Sequence, residues 1–303
     1  MMEQTDFCGI LSTFCPTILV KYQEPMASHT SFRVGGPSQA MAFPKDEGEL
    51  TALLALAAKE GWPVRILGAG TNVLAPDEGL AGLTICLKDC LDGMKRVNDR
   101  EIEVMAGVTM TRAAVFAAKN GLSGMEFAHG IPGTVGGGVY MNAGAYGGEI
   151  RQVCSQVTVL TRNGEKKILS NGEMGFSYRH SALEDTGDIV LSARFTLTPD
   201  TENAIRERMK ELMAKRSASQ PLDMPSAGSA FKRPVGGYAA ALIDGAGLKG
   251  FAVGGAAIST KHAGFAVNLG GATAADVRGL LSQVSDRVFA QTGIRLEPEV
   301  RIW

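Results

Sequence analysis

Charge of one sign, a long apolar run and paired cysteines are all missing from this sequence. Its 30 basic and 31 acidic residues leave a formal net charge of −1, so no global field would hold the chain on nucleic acid or on an anionic membrane. Any phosphate it recognises must be met by local groups. No stretch reaches the roughly 18 uninterrupted apolar residues that a membrane-spanning helix requires. The apolar run over residues 7–20 follows Glu3 and Asp6 in place of a basic region, and Pro16 interrupts it; this does not read as a signal peptide. Cys8, Cys15, Cys86, Cys90 and Cys154 are an odd number with no C-x-x-C spacing, so neither a disulfide framework nor a zinc site is indicated. No other metal constellation appears, and a reducing, cytoplasmic setting fits best. Internal repeats and low-complexity linkers are also absent.

Glycine is what the chain has in plenty. Its 38 glycines are well above the usual share of about 7%, which favours a loop-rich ligand binder over a helical bundle. The densest stretch, residues 121–149, contains Gly130-Ile-Pro-Gly-Thr-Val-Gly-Gly and Met141-Asn-Ala-Gly-Ala-Tyr-Gly-Gly-Glu. Lacking a Cβ, glycine lets backbone amides approach a ligand closely, and successive N–H groups form concave nests for phosphate oxygens. Ile131 and Val135 are apolar enough to hold such a loop against a core. A plain turn between strands is the alternative for an isolated cluster; the length of this one and its Asn142-Ala-Gly-Ala-Tyr continuation favour a cofactor loop. A second glycine turn, Gly68-Ala-Gly-Thr-Asn-Val-Leu, follows an apolar strand at residues 64–67. A Rossmann fingerprint needs Gly or Ala at its sixth position so that the helix can pack on the strand, and Val73 stands there instead. Gly245-Ala-Gly-Leu-Lys-Gly is a literal G-x-G-x-x-G, but it follows a helical pattern and precedes a strand-like one, so it reads as a helix cap and turn.

Spacing supplies the elements. Leu50, Leu53, Leu54 and Ala57 recur at helical intervals over residues 46–61, and Gly61-Trp-Pro stops the helix. Strands are expected at 83–87 and 101–105, with a helix at 111–119 ended by Asn120-Gly121. Residues 153–161 and 166–169 read as a hairpin whose Asn163-Gly164 pair suits a type I′ turn, and a strand at 189–197 follows. Residues 200–216 are helical, with Ile205, Met209, Leu212 and Met213 on one face, and a domain boundary falls here. Beyond it come a loop (220–234), a short helix (238–244), a strand (265–269), a long helix (273–292) and a last strand. The long helix carries Val277, Leu280, Leu281, Val284 and Val288 on one side, with Gly293 placed to cap it. Residues 1–27 read as a lead-in, at most a short helix on the body, with the ordered fold starting near His29.

Three later clusters give the glycine loops their meaning: Phe176-Ser-Tyr-Arg-His-Ser, Ser226-Ala-Gly-Ser-Ala-Phe-Lys-Arg-Pro and Leu296-Glu-Pro-Glu-Val-Arg. Each alone has a dull explanation, as a surface arginine, a loop serine or a solvated glutamate. In this order around the loops, across residues 29–303, the sequence resembles the UDP-N-acetylenolpyruvoylglucosamine reductases, the MurB family of peptidoglycan synthesis. The resemblance implies an α+β fold: two FAD-binding subdomains of the PCMH or vanillyl-alcohol-oxidase type (residues 28–95 and 96–200), then an α+β substrate domain (201–303). It implies non-covalent FAD, contacted by Gly68, Gly70, Thr71, Asn72 and Val73 in the first turn. In the second loop the contacts would be Gly130, Ile131, Pro132, Gly133, Thr134, Gly136, Gly137, Asn142, Ala143 and Gly144. Attachment of the flavin through His129 or Cys154 is not expected.

The same resemblance implies NADPH as hydride donor, an enolpyruvyl sugar nucleotide as acceptor and UDP-N-acetylmuramate as product. Arg179 would grip the substrate carboxylate in a fork that lysine cannot reproduce. Glu299 would polarise the carboxyl if burial kept it protonated, and Ser229 would protonate the second carbon. Tyr178, Arg179, Lys232 and Arg233 would contact substrate, Arg233 standing where some members carry Asn. His129, His180 and His262 read as packing or surface groups. No tyrosine-bearing insertion follows Arg179, which points to the shorter type of reductase with a more open pocket; a monomer is expected. Two other readings stay open: an oxidase of the same flavin superfamily reoxidised by oxygen, and a flavin- or sugar-nucleotide-binding protein without turnover.

Overall fold

The computed structural model describes residues 4–303. The chain forms two compact units, each made of three separated stretches. The first takes Met1–Tyr22, Ala40–Ala69 and Ala81–Ala214; the second takes Gln23–Gln39, Gly70–Leu80 and Lys215–Trp303.

The first unit opens with helix α1 (Gln4–Phe14), whose Phe7 and Leu11 are buried, the Phe7 ring lying 4.1 Å from that of Trp62. A four-stranded sheet follows in the order Leu19–Pro25, Pro37–Phe43, Leu80–Cys86, Val64–Leu67. The short helix is as expected, but ordered structure begins well before His29. The missed strand, Leu19–Pro25, lies at the sheet edge and has no fully buried residue, so it lacks the apolar alternation by which a strand is read. Helix α2 (Glu47–Glu60) starts where Asp46 accepts the Glu49 amide at 2.9 Å and stops at Gly61 in the left-handed region. Such a cap contributes about 1 kcal/mol. Leu50, Leu53, Leu56 and Ala57 face the core, and Leu54 is only half-buried. Helix α3 (Met110–Lys119) buries Ala113, Ala114, Ala117 and Ala118, a smooth face that allows close packing.

A five-stranded antiparallel sheet carries the rest of this unit, in the order Lys166–Ser170, Cys154–Leu160, Ile189–Thr196, Glu101–Met105, Met94–Arg96. Its central strand is an almost continuous buried run from Ile189 to Phe195, and the short helix α4 (Val135–Tyr140) lies against it. The hairpin is where spacing put it, but its turn is different. Gly164 alone takes a positive φ, +80°, while Asn163 does not, so the type I′ turn, which needs both, is ruled out. The Thr161 hydroxyl accepts the Glu165 amide at 3.1 Å, and the Gly164 amide donates to the Thr161 carbonyl at 2.9 Å; together they wrap a longer loop with glycine at its left-handed position. After the one-turn helix α5 (Leu183–Thr186) comes α6 (Glu202–Ser219), with Ile205 and Met209 buried and Leu212 and Met213 half-buried.

The second unit is built on α7 (Ala239–Gly245) and α8 (Ala274–Thr292), with a three-stranded antiparallel sheet, Ala252–Val253, Ala256–Ile258, Ala266–Asn268. The α8 stripe is the expected one, Val277, Leu280, Leu281, Val284 and Val288, all buried. Thr273 and Asp276 form a reciprocal cap at its start, and Gly293 ends it at φ +72°. The Asp77 carboxylate also accepts the Ala274 and Ala275 amides at 2.7 and 2.9 Å, a favourable charge at a helix N-terminus. Arg301–Ile302 pairs in parallel with Val73–Leu74. Gly245 closes α7 and Gly247 turns the chain at φ +70°, so the literal G-x-G-x-x-G is the cap and turn it was read as.

Candidate active site

In the first unit the two glycine stretches meet. A Cβ on Gly68 would stand 2.6 Å from Thr134 Oγ1, closer than packed atoms allow, so the turn lays bare backbone on the loop. Thr134 is buried and caps α4. The loop is pinned from within: the Gly130 amide donates to Thr111 Oγ1 at 3.3 Å, that of Ile131 to the Ala128 carbonyl at 3.1 Å, and that of Met110 to the Gly133 carbonyl at 3.0 Å. The amides that open α4 are engaged as well. Val135 donates to Val108 O (2.8 Å), Gly136 to Ala106 O (2.9 Å) and Gly137 to Thr134 Oγ1 (3.4 Å). These three amides are therefore taken up by the protein's own acceptors. What Gly136 and Gly137 offer is an absent side chain, with Gly137 and Pro132 exposed. A flat, uncharged, backbone-lined wall of this kind fits a flavin dinucleotide, which needs close approach along its length.

Arg179 sits in the same unit on a tight turn. Ser177 and His180 bridge each other, N to O, at 3.1 and 3.2 Å, leaving Tyr178 and Arg179 at the tip. Arg179 has φ +55°, a conformation that bulky side chains rarely adopt and that clusters at functional sites. Its Nη2 donates to the Gly144 carbonyl at 3.3 Å, and its guanidinium carbon lies 5.1 Å from the centre of the exposed Tyr178 ring. Both predicted substrate contacts of this cluster thus stand together, with the arginine touching the loop assigned to the cofactor.

The second unit holds the other half of the predicted set. At Gly70 φ is +63°, and a Cβ would fall 1.9 Å from the His29 carbonyl oxygen; only glycine fits. Asn72 donates through Nδ2 to the Glu299 carbonyl at 3.3 Å and accepts the Arg301 amide at 3.0 Å, tying this turn to the segment that carries Glu299. Ser229 bridges Phe265, the Glu299 amide donates to Ala230 O at 3.0 Å, and the Lys232 amide to Glu297 O at 2.8 Å. The segments that carry Ser229 and Glu299 are therefore joined through their backbones, with Phe231 and Pro298 bridging between them. The half-buried Ser229 hydroxyl has no hydrogen-bond partner among the described residues, although Ser226 Oγ nearby is bound to Ala266 O at 2.7 Å. Lys232 pairs with the exposed Glu297, and the Arg233 guanidinium lies 4.4 Å over the Tyr238 ring. An exposed ion pair of this kind is worth little.

The histidines keep to packing and the surface. Burial pushes the His129 and His262 pKa values down, which keeps both rings neutral. His262 Nδ1 accepts the Gly264 amide at 3.1 Å, and its ring meets Phe265 edge-on at 5.0 Å. His180 faces Glu184 and Asp185 at 3.3 and 3.7 Å. His129 Nδ1 is buried without a hydrogen-bond partner. Burial also pushes the Cys154 thiol up to about 12, so it holds no thiolate for attachment to a flavin. Among the described residues no cluster of His, Cys, Asp or Glu could hold a metal ion.

Residues 38–170 match the family model of an FAD binding domain, and residues 220–303 that of the UDP-N-acetylenolpyruvoylglucosamine reductase C-terminal domain. Proteins of that reductase name from Pediococcus pentosaceus and Agathobacter rectalis are 45% and 46% identical to this chain. The first alignment covers 100% of this chain and 98% of the relative, the second 99% of each. The chain belongs to the UDP-N-acetylenolpyruvoylglucosamine reductase family. The crystal structure of the reductase from Thermus caldophilus is similar with a TM-score of 0.77 at 35% identity, covering 94% of this chain and 98% of that one. The fold is the α+β arrangement that the resemblance implied, an FAD-binding region followed by the family's C-terminal domain, and the chain is an FAD-binding oxidoreductase. Among the described residues no helix is long and apolar enough to cross a membrane.

Proposed function

We propose that the chain reduces the enolpyruvyl ether of a UDP-N-acetylglucosamine derivative to UDP-N-acetylmuramate, with NADPH as reductant and non-covalently held FAD. The backbone of Gly68, Gly70, Gly133 and Gly137 would hold FAD, which would supply hydride chemistry linking NADPH to the enolpyruvyl methylene carbon. The chain's own groups do the rest. Arg179 forks onto the substrate carboxylate, where negative charge accumulates as hydride arrives, and a preplaced cation there needs no reorganisation. Glu299 would donate a hydrogen bond to the same carboxyl region if it carried a proton, and Ser229 gives its proton to the second carbon. Tyr178, Lys232 and Arg233 hold the nucleotide, the two cations meeting its diphosphate. Residues 28–200 would carry the cofactor and residues 201–303 the sugar nucleotide. The partners are small molecules, and the enzyme works in the cytoplasm as a monomer; the near-zero net charge supports the absence of nucleic-acid or membrane partners.

The observation that carries this reading is Ser229, whose hydroxyl is uncommitted among the described residues on a backbone pinned beside the segment of Glu299. The test uses colour. Purified protein should be yellow, bleach with NADPH under nitrogen and recolour when the enolpyruvyl nucleotide is added. Rapid recolouring by air alone would indicate an oxidase instead, and failure to take up flavin would remove both enzymes.

A further inference from the structure

Asn142 belongs to the glycine-rich loop and would by position be taken for a cofactor contact, yet its side chain is wholly buried. Its hydrogen-bonding groups face into the protein. Oδ1 accepts the Arg151 amide at 2.9 Å, while Nδ2 donates to the Ser177 carbonyl at 2.9 Å and to Glu149 Oε2 at 3.1 Å. Glu149 is itself fixed, pairing with Arg151 and forming a reciprocal cap with Gln152. The Ser177 carbonyl is the acceptor that closes the turn bearing Tyr178 and Arg179. Asn142 therefore grips that turn at its base, while Arg179 reaches back to the Gly144 carbonyl, two residues further along the loop. A second anchor holds the other end: Ser181, also fully buried, donates to the Tyr140 carbonyl at 2.7 Å. Both anchors join the chain leaving α4 to the Arg179 turn.

We propose that Asn142 is a positioning residue that fixes the Arg179 turn on the cofactor loop, and so sets where the guanidinium meets the substrate carboxylate. This rests on the functional reading above. The chemistry demands this side chain. Asparagine offers a planar head with one acceptor and two donor hydrogens, and it tolerates the φ of +42° found here. Aspartate has no donor and would set a second carboxylate against Glu149. Glycine keeps the backbone conformation and deletes the grip.

The test is a double-mutant cycle on the full-length flavoprotein, with Asn142→Gly, Arg179→Lys and the pair. In Asn142→Gly, reduction by NADPH and the visible flavin spectrum should change far less than reoxidation. Reoxidation by the enolpyruvyl nucleotide should slow by about 10- to 100-fold in Asn142→Gly, the scale expected when a reacting group shifts by about 1 Å. Calorimetric binding of UDP-N-acetylmuramate to the oxidised protein should weaken alongside it. The double variant should be little worse than Arg179→Lys alone, because the grip has nothing left to place. Additive losses, or equal losses in both half-reactions, would overturn the inference while wild-type turnover stands. A wild type that the enolpyruvyl nucleotide cannot reoxidise would overturn the functional reading, and this inference with it. If Asn142→Gly does not fold, Ser181→Ala takes its place in the cycle, with the same non-additivity expected and additivity overturning the proposal.

Discussion

A serine hydroxyl is a poor acid in water, and the role proposed for the one at position 229 depends on its proton not being drawn into an internal hydrogen bond. Ser226, three residues away, shows the contrast, since its hydroxyl is consumed by the Ala266 carbonyl. Ser229 has no such partner among the described residues, though its backbone is held by the Phe265 bridge. Positioned general acids contribute about 10²- to 10⁴-fold. Ser229→Ala should therefore slow reoxidation by the enolpyruvyl nucleotide by about that factor, leaving bleaching by NADPH nearly untouched in anaerobic stopped flow. Equal slowing of both half-reactions would end this role for the residue. Motif order drew attention to Ser229, Arg179 and Glu299 in the sequence. It could not show that the Asn142 head is buried or that Asn72 is bonded to the Glu299 carbonyl. Standing next to glycines says which loop a residue belongs to, not which way its amide points.

Among the elements, caps and apolar stripes made α2, α3 and α8 legible, because their signals lie within one or two turns of chain. Contacts made by a helix far along the sequence left no such trace, and the clamp on α6 is the example. Arg208 on α6 donates from Nε and Nη2 to Glu126 Oε1 at 3.0 and 2.8 Å, and from Nη2 to Asp200 at 2.6 Å. Glu126 also accepts the Gly124 amide at 2.7 Å and the Ser123 hydroxyl at 2.8 Å. It opens the 3₁₀ turn Glu126–Ala128, which leads straight into His129 and Gly130. Burial pushes this carboxyl up, but the hydrogen bonds, with Arg208 foremost, outweigh it and hold the group below the ordinary carboxylate range. A depressed carboxyl contributes stability above its unfolded-state pKa and loses it as pH falls through the folded value. Arg208→Ala leaves the charge buried with fewer partners, at an expected cost of about 2 kcal/mol near pH 7. Without Arg208 the foremost group holding Glu126 down is gone while burial still pushes it up, so the stability that its low pKa contributes shrinks. The gap in urea midpoint between wild type and variant should then narrow between about pH 7 and pH 4. A gap that stays constant or widens across that range would show that Glu126 is not the group Arg208 serves.

For the molecule as a whole, the order of motifs was readable but the weaving of the chain was not. Residues 201–303 look in sequence like a separate domain, yet the core around α7 and α8 includes Phe32, Val34 and Leu74, all at 2% exposure or less. Asn268 Nδ2 donates to the Phe32 carbonyl at 3.0 Å, and Ser31 Oγ to that of Ser226 at 2.6 Å. Asp77 caps α8, and Val73–Leu74 is the partner of the last strand. These pairings span about two hundred residues and obey no local periodicity, so no window of sequence announces them. Burial of a large apolar side chain is worth about 1.5–3 kcal/mol, and three of them together amount to about 5–9 kcal/mol. That is comparable to the whole stability of a domain, about 5–15 kcal/mol. Residues 201–303 expressed alone should therefore show no cooperative thermal transition by circular dichroism, whereas the full chain melts sharply. A fragment with a sharp transition of its own would mean that the stretches at Gln23–Gln39 and Gly70–Leu80 decorate this unit without completing it.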